Sequence, residues 1–258
     1  MRLLFDKKMT EHLIAMRQES GRSSGRLIRL IDFLLQIKLF VIVLFLFENV
    51  LTRILVLPIP GYRWLIRFWV INYPGLPSLS GMYIRAAYYR GVLGGMGSNV
   101  FIEQGAQFDH PKSVFLDDFA FIDKGVLISA DYTVIGRRVH IAPHVFITGG
   151  GRFEIAENAC VAAKSIMVTS TEVLKNGWRA SGPMTAPSER KVFRGGIRVE
   201  RDAFLGAACT VLPGVTVKEG SVVGAGEVIS KDTEAWGVYA QGRPKRVATR
   251  DRIVFDDG

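Results

Sequence analysis

The sequence predicts a mainly β solenoid of very short stacked strands, preceded by a hydrophobic α-helical region. Three observations carry this expectation. From Val199 an aliphatic residue recurs at every sixth position, through Leu205, Val211, Val217 and Val223 to Ile229. A period of six fits neither a helix, near 3.6, nor a flat strand, at 2. It fits coils built of short strands and corners, each stacked on the last. The same rhythm runs back to about Asn99, with shifts of register and one large gap at residues 169–198. Finally, residues 1–98 lack the rhythm and are both basic and strongly apolar. The chain therefore divides into a basic, hydrophobic N-terminal region (1–98), a repeat region (99–236) with an inserted loop (169–198), and a C-terminal basic segment with a tail (237–258).

Residues 1–25 are polar and charged, and no signal peptide fits, because the apolar stretch begins too late and runs too long. The next stretch begins amphipathic. Arg22, Arg26 and Arg29 share one helical face, and Leu27, Leu30, Ile31 and Leu34 share another. Pro58 and Pro60-Gly61 break the pattern. Tyr62, Trp64, Phe68, Trp69 and Tyr73 then cluster with Arg63 and Arg67. The longest run free of charge and proline, residues 39–47, is about 14 Å long as a helix, against a hydrocarbon core of about 30 Å. Lys38 and Glu48 bound that run and are expected to snorkel outward. Helices lying in or dipping into the interface fit best. A true span or re-entrant hairpin comes next, and a soluble helical cap or oligomer contact last.

Charge supports a membrane partner. Residues 1–90 hold 13 Lys/Arg against 5 Asp/Glu, whereas residues 91–258 hold 20 against 19. Basic and apolar character in one segment points to an anionic lipid surface, the cytoplasmic face of a bacterial inner membrane, ahead of nucleic acid. The two cysteines, Cys160 and Cys209, make neither a disulfide framework nor a zinc set and read as free thiols.

The repeat predicts burial residue by residue. Ile102, Phe108 and Val114 form one register. Leu116, Ile122, Ile128 and Val134 form a second, Ile135, Ile141, Ile147 and Phe153 a third, and Ile155, Val161 and Met167 a fourth. Position one of each block is expected inside. Position five, such as Val139, Val145 or Val215, points the same way by strand alternation. Position two, such as Asp123, Gly136 or Gly206, is expected to turn the corner.

These blocks resemble the hexapeptide-repeat acyltransferases, over about residues 99–250. The segment LGAACT-VLPGVT-VKEGSV-VGAGEV-ISKDT is similar to the family's most specific stretch. Gly242-Arg243-Pro244-Lys245-Arg246-Val247 is similar to its G-x-P-A-K-x-I ending, with Lys245 where the family has Ala. The resemblance implies a left-handed parallel β-helix that assembles as a homotrimer. It also implies acetyl-CoA or another acyl-CoA held between neighbouring prisms and no metal. The activity implied is acylation of a hydroxyl or amine. The layout is similar to O-acetyltransferases acting on sugar hydroxyls of surface-polysaccharide or glycolipid precursors, so a lipid-linked glycan is the expected acceptor. An N-acyltransferase on a nucleotide-linked amino sugar and a non-catalytic membrane scaffold are the alternatives.

The chain departs from the family in one place. Many members carry a histidine just past the block that here reads MVTSTEV, where this chain has Thr171 and Glu172. Acyl transfer to a hydroxyl needs a base working near neutral pH. Of His12, His110, His140 and His144, the expected order is His140, then His144, then His110. His140 and His144 fall outside the inward positions of IGRRVHIAPHVF, and Glu172 is assigned to orient the imidazole or the acceptor. By resemblance Ala207, Ala225, Ser230 and Lys231 line the pantetheine arm, and Arg243, Lys245 and Arg246 supply cations for the CoA phosphates. Gly149-Gly150-Gly151 lacks the strand–loop–helix setting of a phosphate cradle and reads as a corner.

Overall fold

The structure is a computed structural model that describes residues 2–20, 25–72, 78–180, 184–240, 242 and 246–253. From Gly95 onward the chain winds into a parallel β-solenoid of about 7 turns. Its strands stack into three sheets, which form the faces of a prism. Face one holds Gly95–Met96, Val114–Leu116, Tyr132–Ile135, Arg152–Ile155, Ile197–Val199 and Thr216–Val217. Face two holds Phe101–Ile102, Phe121–Ile122, His140–Ile141, Cys160–Val161, Phe204–Leu205, Val222–Val223 and Gly237–Tyr239, and is closed by the antiparallel strand Ala248–Thr249. Face three holds Gln107–Phe108, Leu127–Ile128, Phe146–Thr148, Ile166–Val168, Thr210–Val211 and Val228–Ile229.

The inward columns follow the repeat. On face two Ile102, Ile122, Ile141, Val161, Leu205 and Val223 stack with no exposed surface. Each such side chain contributes roughly 1.5–3 kcal/mol of burial free energy. Position-five residues Ala120, Val139, Val145 and Ala159 are buried beside them.

Two details of the sequence reading need correction. Val134 is not an inward residue. In Tyr132–Ile135 the inward pair is Thr133 and Ile135, and Val134 faces out. Face one explains this, because most of its strands carry two inward residues two apart: Val114 and Leu116, Phe153 and Ile155, Ile197 and Val199. The sixfold series therefore restarts at face one in successive coils, and there a polar inward residue, Thr133, disguised the step. The second correction concerns the corners. The left-handed turn residue occupies position four, not two. Between faces one and two it is Asn99, Phe119, Arg138, Asn158, Asp202, Gly220 and Trp236. Between faces two and three it is Gly105, Gly125, His144, Lys164, Ala208 and Gly226. Position two is small because the next coil's backbone approaches it: a Cβ on Gly206 would lie 2.7 Å from the amide nitrogen of Ala225.

Residues 169–198 are an ordered arm over much of their length. Ser170–Glu172 pairs antiparallel with Val192–Arg194. The chain leaves face three at Thr169 and returns at Gly195, whose N–H donates to the Thr169 carbonyl at 3.0 Å. Because exit and return lie side by side, Ile197 resumes the stack directly beneath Phe153. Gly149-Gly150-Gly151 is the corner under this arm. A Cβ on Gly151 would lie 2.5 Å from the Thr169 carbonyl oxygen, and the Gly151 and Gly150 N–H groups donate to Thr169 Oγ1 and Ser170 Oγ.

Five helices precede the prism: α1 (Lys7–Glu19), α2 (Arg26–Leu34), α3 (Lys38–Leu55), α4 (Tyr62–Asn72) and α5 (Ser78–Val92). Helix α5 closes the first coil. The buried Arg85 donates to the Ile102 carbonyl at 2.7 Å, Tyr89 donates to Ala106, and Ala86 and Ala87 are fully buried. Such a cap supplies partners for the end strands of a solenoid. The expectation that Glu48 snorkels outward is overturned. Its carboxylate is fully buried and accepts from the Leu4 N–H at 2.8 Å and the Tyr83 hydroxyl at 2.8 Å, with Arg90 at 3.5 Å. This turns Glu48 inward, while Lys38 and Arg53 stay exposed together with Leu39, Ile42, Val43, Leu46, Phe47 and Val50. Among the described residues no single helix is long and apolar enough to cross a membrane. Helices α2 and α3 together have the composition but are bent by 99°.

Candidate functional site

Outward residues on face two form a second column, Phe101, Phe121, His140, Cys160, Phe204 and Val222, fixed by the strand register. His140 stands in the third coil. Its ring stacks on Phe121, with centroids 5.0 Å apart and planes 26° from parallel. Nε2 lies 3.4 Å from Asp123 Oδ2, and Nδ1 lies 4.0 Å from Cys160 Sγ. Asp123 follows the strand one coil earlier. Its N–H donates to the Ile141 carbonyl, and its Oδ1 accepts from the Lys124 N–H, which leaves Oδ2 for the imidazole. Only 18% of the Asp123 side chain is exposed, against 39% of His140. A half-buried carboxylate at Nε2 favours the tautomer protonated there and leaves Nδ1 as the basic nitrogen. Burial pushes the Cys160 thiol up, away from the thiolate form. Cys160 is thus held in the neutral thiol form beside His140. Cys209 is fully buried and also pushed up by burial.

His144 lies at the corner between faces two and three, exposed, with φ +58°. Its ring sits directly over Gly125, where an added Cβ would lie 2.6 Å from Nδ1. Gly125→Ala should therefore push the His144 ring aside, with about 1–2 kcal/mol of left-handed strain, and leave the Asp123–His140 pair in place. Unchanged kcat in a folded Gly125→Ala protein is expected. A loss of activity as deep as that of His140→Ala would transfer the base assignment to His144. His110 sits before the 3-10 turn Pro111–Ser113, exposed, with Nε2 3.8 Å from Asp131. Glu172 lies on the arm, paired with Val192. His140 and Glu172 thus stand on different elements, face two and the arm off face three.

The residues expected at CoA are spread over three places in one chain. Ala207 and Ala225 are exposed and stacked on the same corner as His144, with the Gly226 N–H donating to the Ala207 carbonyl. Ser230 and Lys231 are exposed just past face three. Arg246, before the closing strand, pairs with Glu234 at 2.9 Å. Arg243 and Lys245 lie outside the described residues. Two residues escaped sequence reasoning. One is Asp123, 17 positions before its partner. The other is Lys164, exposed on the His144 corner one coil on, with φ +62°. A left-handed residue at position four was the available signal for that corner column.

Comparison with known proteins agrees with this architecture. The family described as hexapeptide repeat of succinyl-transferase matches residues 196–231. A dTDP-4-amino-4,6-dideoxy-D-glucose acyltransferase of Escherichia coli is 25% identical over 163 residues, covering 62% of this chain and 84% of that one. The galactoside O-acetyltransferase of Escherichia coli strain K12 is 28% identical over 153 residues, covering 59% of this chain and 61% of that one. Among solved structures, AntD, an N-acyltransferase from Bacillus cereus in complex with dTDP and 3-hydroxybutyryl-CoA, superposes with a TM-score of 0.59 at 22% identity. That match covers 62% of this chain and 85% of AntD. A six-residue period stacked into a three-faced prism, joined to these likenesses, makes the chain similar in repeat and fold to hexapeptide-repeat acyltransferases.

Proposed function

We propose that the protein moves an acyl group, acetyl in the simplest case, from an acyl-CoA thioester to a sugar hydroxyl of a membrane-associated glycan precursor, with His140 as general base. The observation that carries this reading is the Asp123–His140 pair on the outward side of the prism. His140 Nδ1 accepts the hydroxyl proton as the oxygen attacks the thioester carbonyl. The tetrahedral oxyanion collapses with cleavage of the C–S bond, and the imidazolium returns the proton to the departing thiolate. Transfer is direct, so no acyl-enzyme forms.

The reading includes a homotrimer. The exposed apolar residues Phe146, Ile166, Phe204 and Val228 on faces two and three, with Leu174 and Phe193 on the arm, suit contact with other copies of the prism. Assembly would also bring together the scattered CoA residues and carry Glu172 toward a neighbour's His140. The reading further includes a peripheral seat on the cytoplasmic face of the membrane. Support comes from the exposed face of α3, apolar from Leu39 to Val50 except at Asn49, and from the excess of arginine around it. The likeness to the E. coli dTDP-amino-sugar acyltransferase favours a second reading, N-acylation of a soluble nucleotide-linked sugar.

Substitution separates the two readings better than truncation, because Leu4, Arg85 and Tyr89 tie the helices to the prism. The double variant Val43→Asp/Leu46→Asp changes two exposed positions of α3. It should lose transfer to a vesicle-borne glycolipid and keep transfer to a soluble sugar analogue. Robust N-acylation of a nucleotide amino sugar, with no O-acylation in vesicles, would instead establish the second reading.

A further inference from the structure

A cavity of about 430 Å³ opens between α4, α5 and the first coil, walled by Arg63, Trp64, Arg67, Tyr88, Tyr89 and Phe108. That volume lies within the usual span of small-molecule sites. Among the described residues no carboxylate lines it. Arg63 and Arg67 are one helical turn apart on α4, both exposed, and neither has an acidic partner among the described residues. Tyr89 is committed elsewhere, its hydroxyl donating to the Ala106 carbonyl at 2.8 Å. Tyr88 is not committed. It is 7% exposed and lines the cavity, and its hydroxyl has no hydrogen-bond partner among the described residues. Both guanidinium groups act on that hydroxyl, pulling against the rise that burial imposes on its pKa. Two cations and a hydroxyl, none with a partner among the described residues, set around this cavity are what a phosphate oxygen cluster requires.

The surroundings identify the source of the phosphate. Trp64, Leu65 and Phe68 of α4 are exposed beside the cavity, and Trp64 stacks with Phe68 at 5.9 Å. Aromatic rings next to arginines on an exposed apolar helix suit the headgroup layer of a bilayer. We propose that this cavity is a binding site for the phosphate of a lipid headgroup, held by Arg63, Arg67 and the Tyr88 hydroxyl. This inference rests on the membrane seat proposed above and deepens it by naming the lipid chemistry. Phe108, which walls the cavity, belongs to the first coil and His140 to the third, two strand spacings or about 10 Å apart along the prism axis.

Flotation with vesicles of phosphatidylcholine alone, and of phosphatidylcholine doped with phosphatidylglycerol, tests the site. The wild type should bind both and prefer the anionic vesicles. Arg63→Gln/Arg67→Gln should lose that preference by about tenfold or more, since each cation at the surface contributes about 1 kcal/mol. Arg26→Gln/Arg53→Gln removes the same charge from exposed positions outside the cavity and should lose clearly less. Equal losses in the two pairs would overturn the site, leaving only diffuse attraction. Val43→Asp/Leu46→Asp should abolish binding to both vesicle types, which reports on the membrane seat and not on the cavity. Failure of the wild type to float with either vesicle would sink the membrane seat. If soluble glycerol phosphate then raised the melting temperature and Arg63→Gln/Arg67→Gln removed that rise, the site would belong to a free phosphate and the lipid assignment would fall.

Discussion

Replacing His140 by alanine is expected to lower kcat for acyl transfer by about 10²–10⁴-fold, the usual contribution of a positioned general base. KM for the acyl-CoA should change little, because the ring participates in proton transfer and does not grip the coenzyme. The size of the effect follows from the surroundings of the ring. Phe121 holds one face, Asp123 fixes Nε2, and the strand register fixes the backbone on both sides. Asp123→Asn keeps a hydrogen-bonding group of the same shape but removes the charge that stabilises the imidazolium during transfer. It should reduce kcat less deeply. Added imidazole should restore part of the activity of His140→Ala, and none to Asp123→Asn, whose own ring still fills the site. Steady-state kinetics with a CoA-release assay reads all three. Full activity in His140→Ala would end the assignment of this residue, with the fold untouched.

The sequence carried the prism far better than the site, for a physical reason. An inward column is a repeated demand for an apolar side chain, so the period of six reports burial directly. That is why Ile102, Ile122, Ile141, Val161, Leu205 and Val223 were legible. Corners report themselves less well. The left-handed position expects Gly, Asn or Asp, yet Phe119, Arg138, His144 and Trp236 occupy it. Closure of the coil enforces that backbone and overrides local preference. The Asp123–His140 contact depends on coil length. The two residues fall at different block positions, and only the stacking of one coil on the next turns a separation of 17 into 3.4 Å. The arm was visible as an interruption, but its antiparallel pairing of Thr171 with Phe193 has no periodic signal. Glu48 was misread for a related reason. A charge at the end of an apolar run looks like a group seeking water, and its partners Leu4, Tyr83 and Arg90 lie far away in sequence.

Glu48→Ala is accordingly expected to cost about 3–5 kcal/mol of stability, the range for removing one partner of a buried ion pair. The carboxylate joins the N-terminal segment, α3 and α5 at one point. Its loss leaves the Leu4 N–H, the Tyr83 hydroxyl and the Arg90 guanidinium facing a hole. Arg90 retains its bond to the Leu3 carbonyl at 2.8 Å, which moderates the loss without replacing the acceptor. Glu48→Gln should fall between the wild type and Glu48→Ala, since its amide can accept on one side but presents a donor to the other. The pH dependence separates these variants further. Burial is the largest influence on the Glu48 carboxyl and raises it, while Leu4, Tyr83 and Arg90 pull it back. A carboxyl whose folded value is raised contributes most below the ordinary carboxylate range, and loses that contribution as pH rises through the folded value. The melting temperature of the wild type relative to Glu48→Gln should therefore decline from acid toward neutral pH. An exposed, snorkelling Glu48 would give neither result, because Glu48→Ala would then melt within a degree or two of the wild type at every pH. Thermal melts of the three proteins across that range decide between a buried clasp on α3 and a charge at its wet edge.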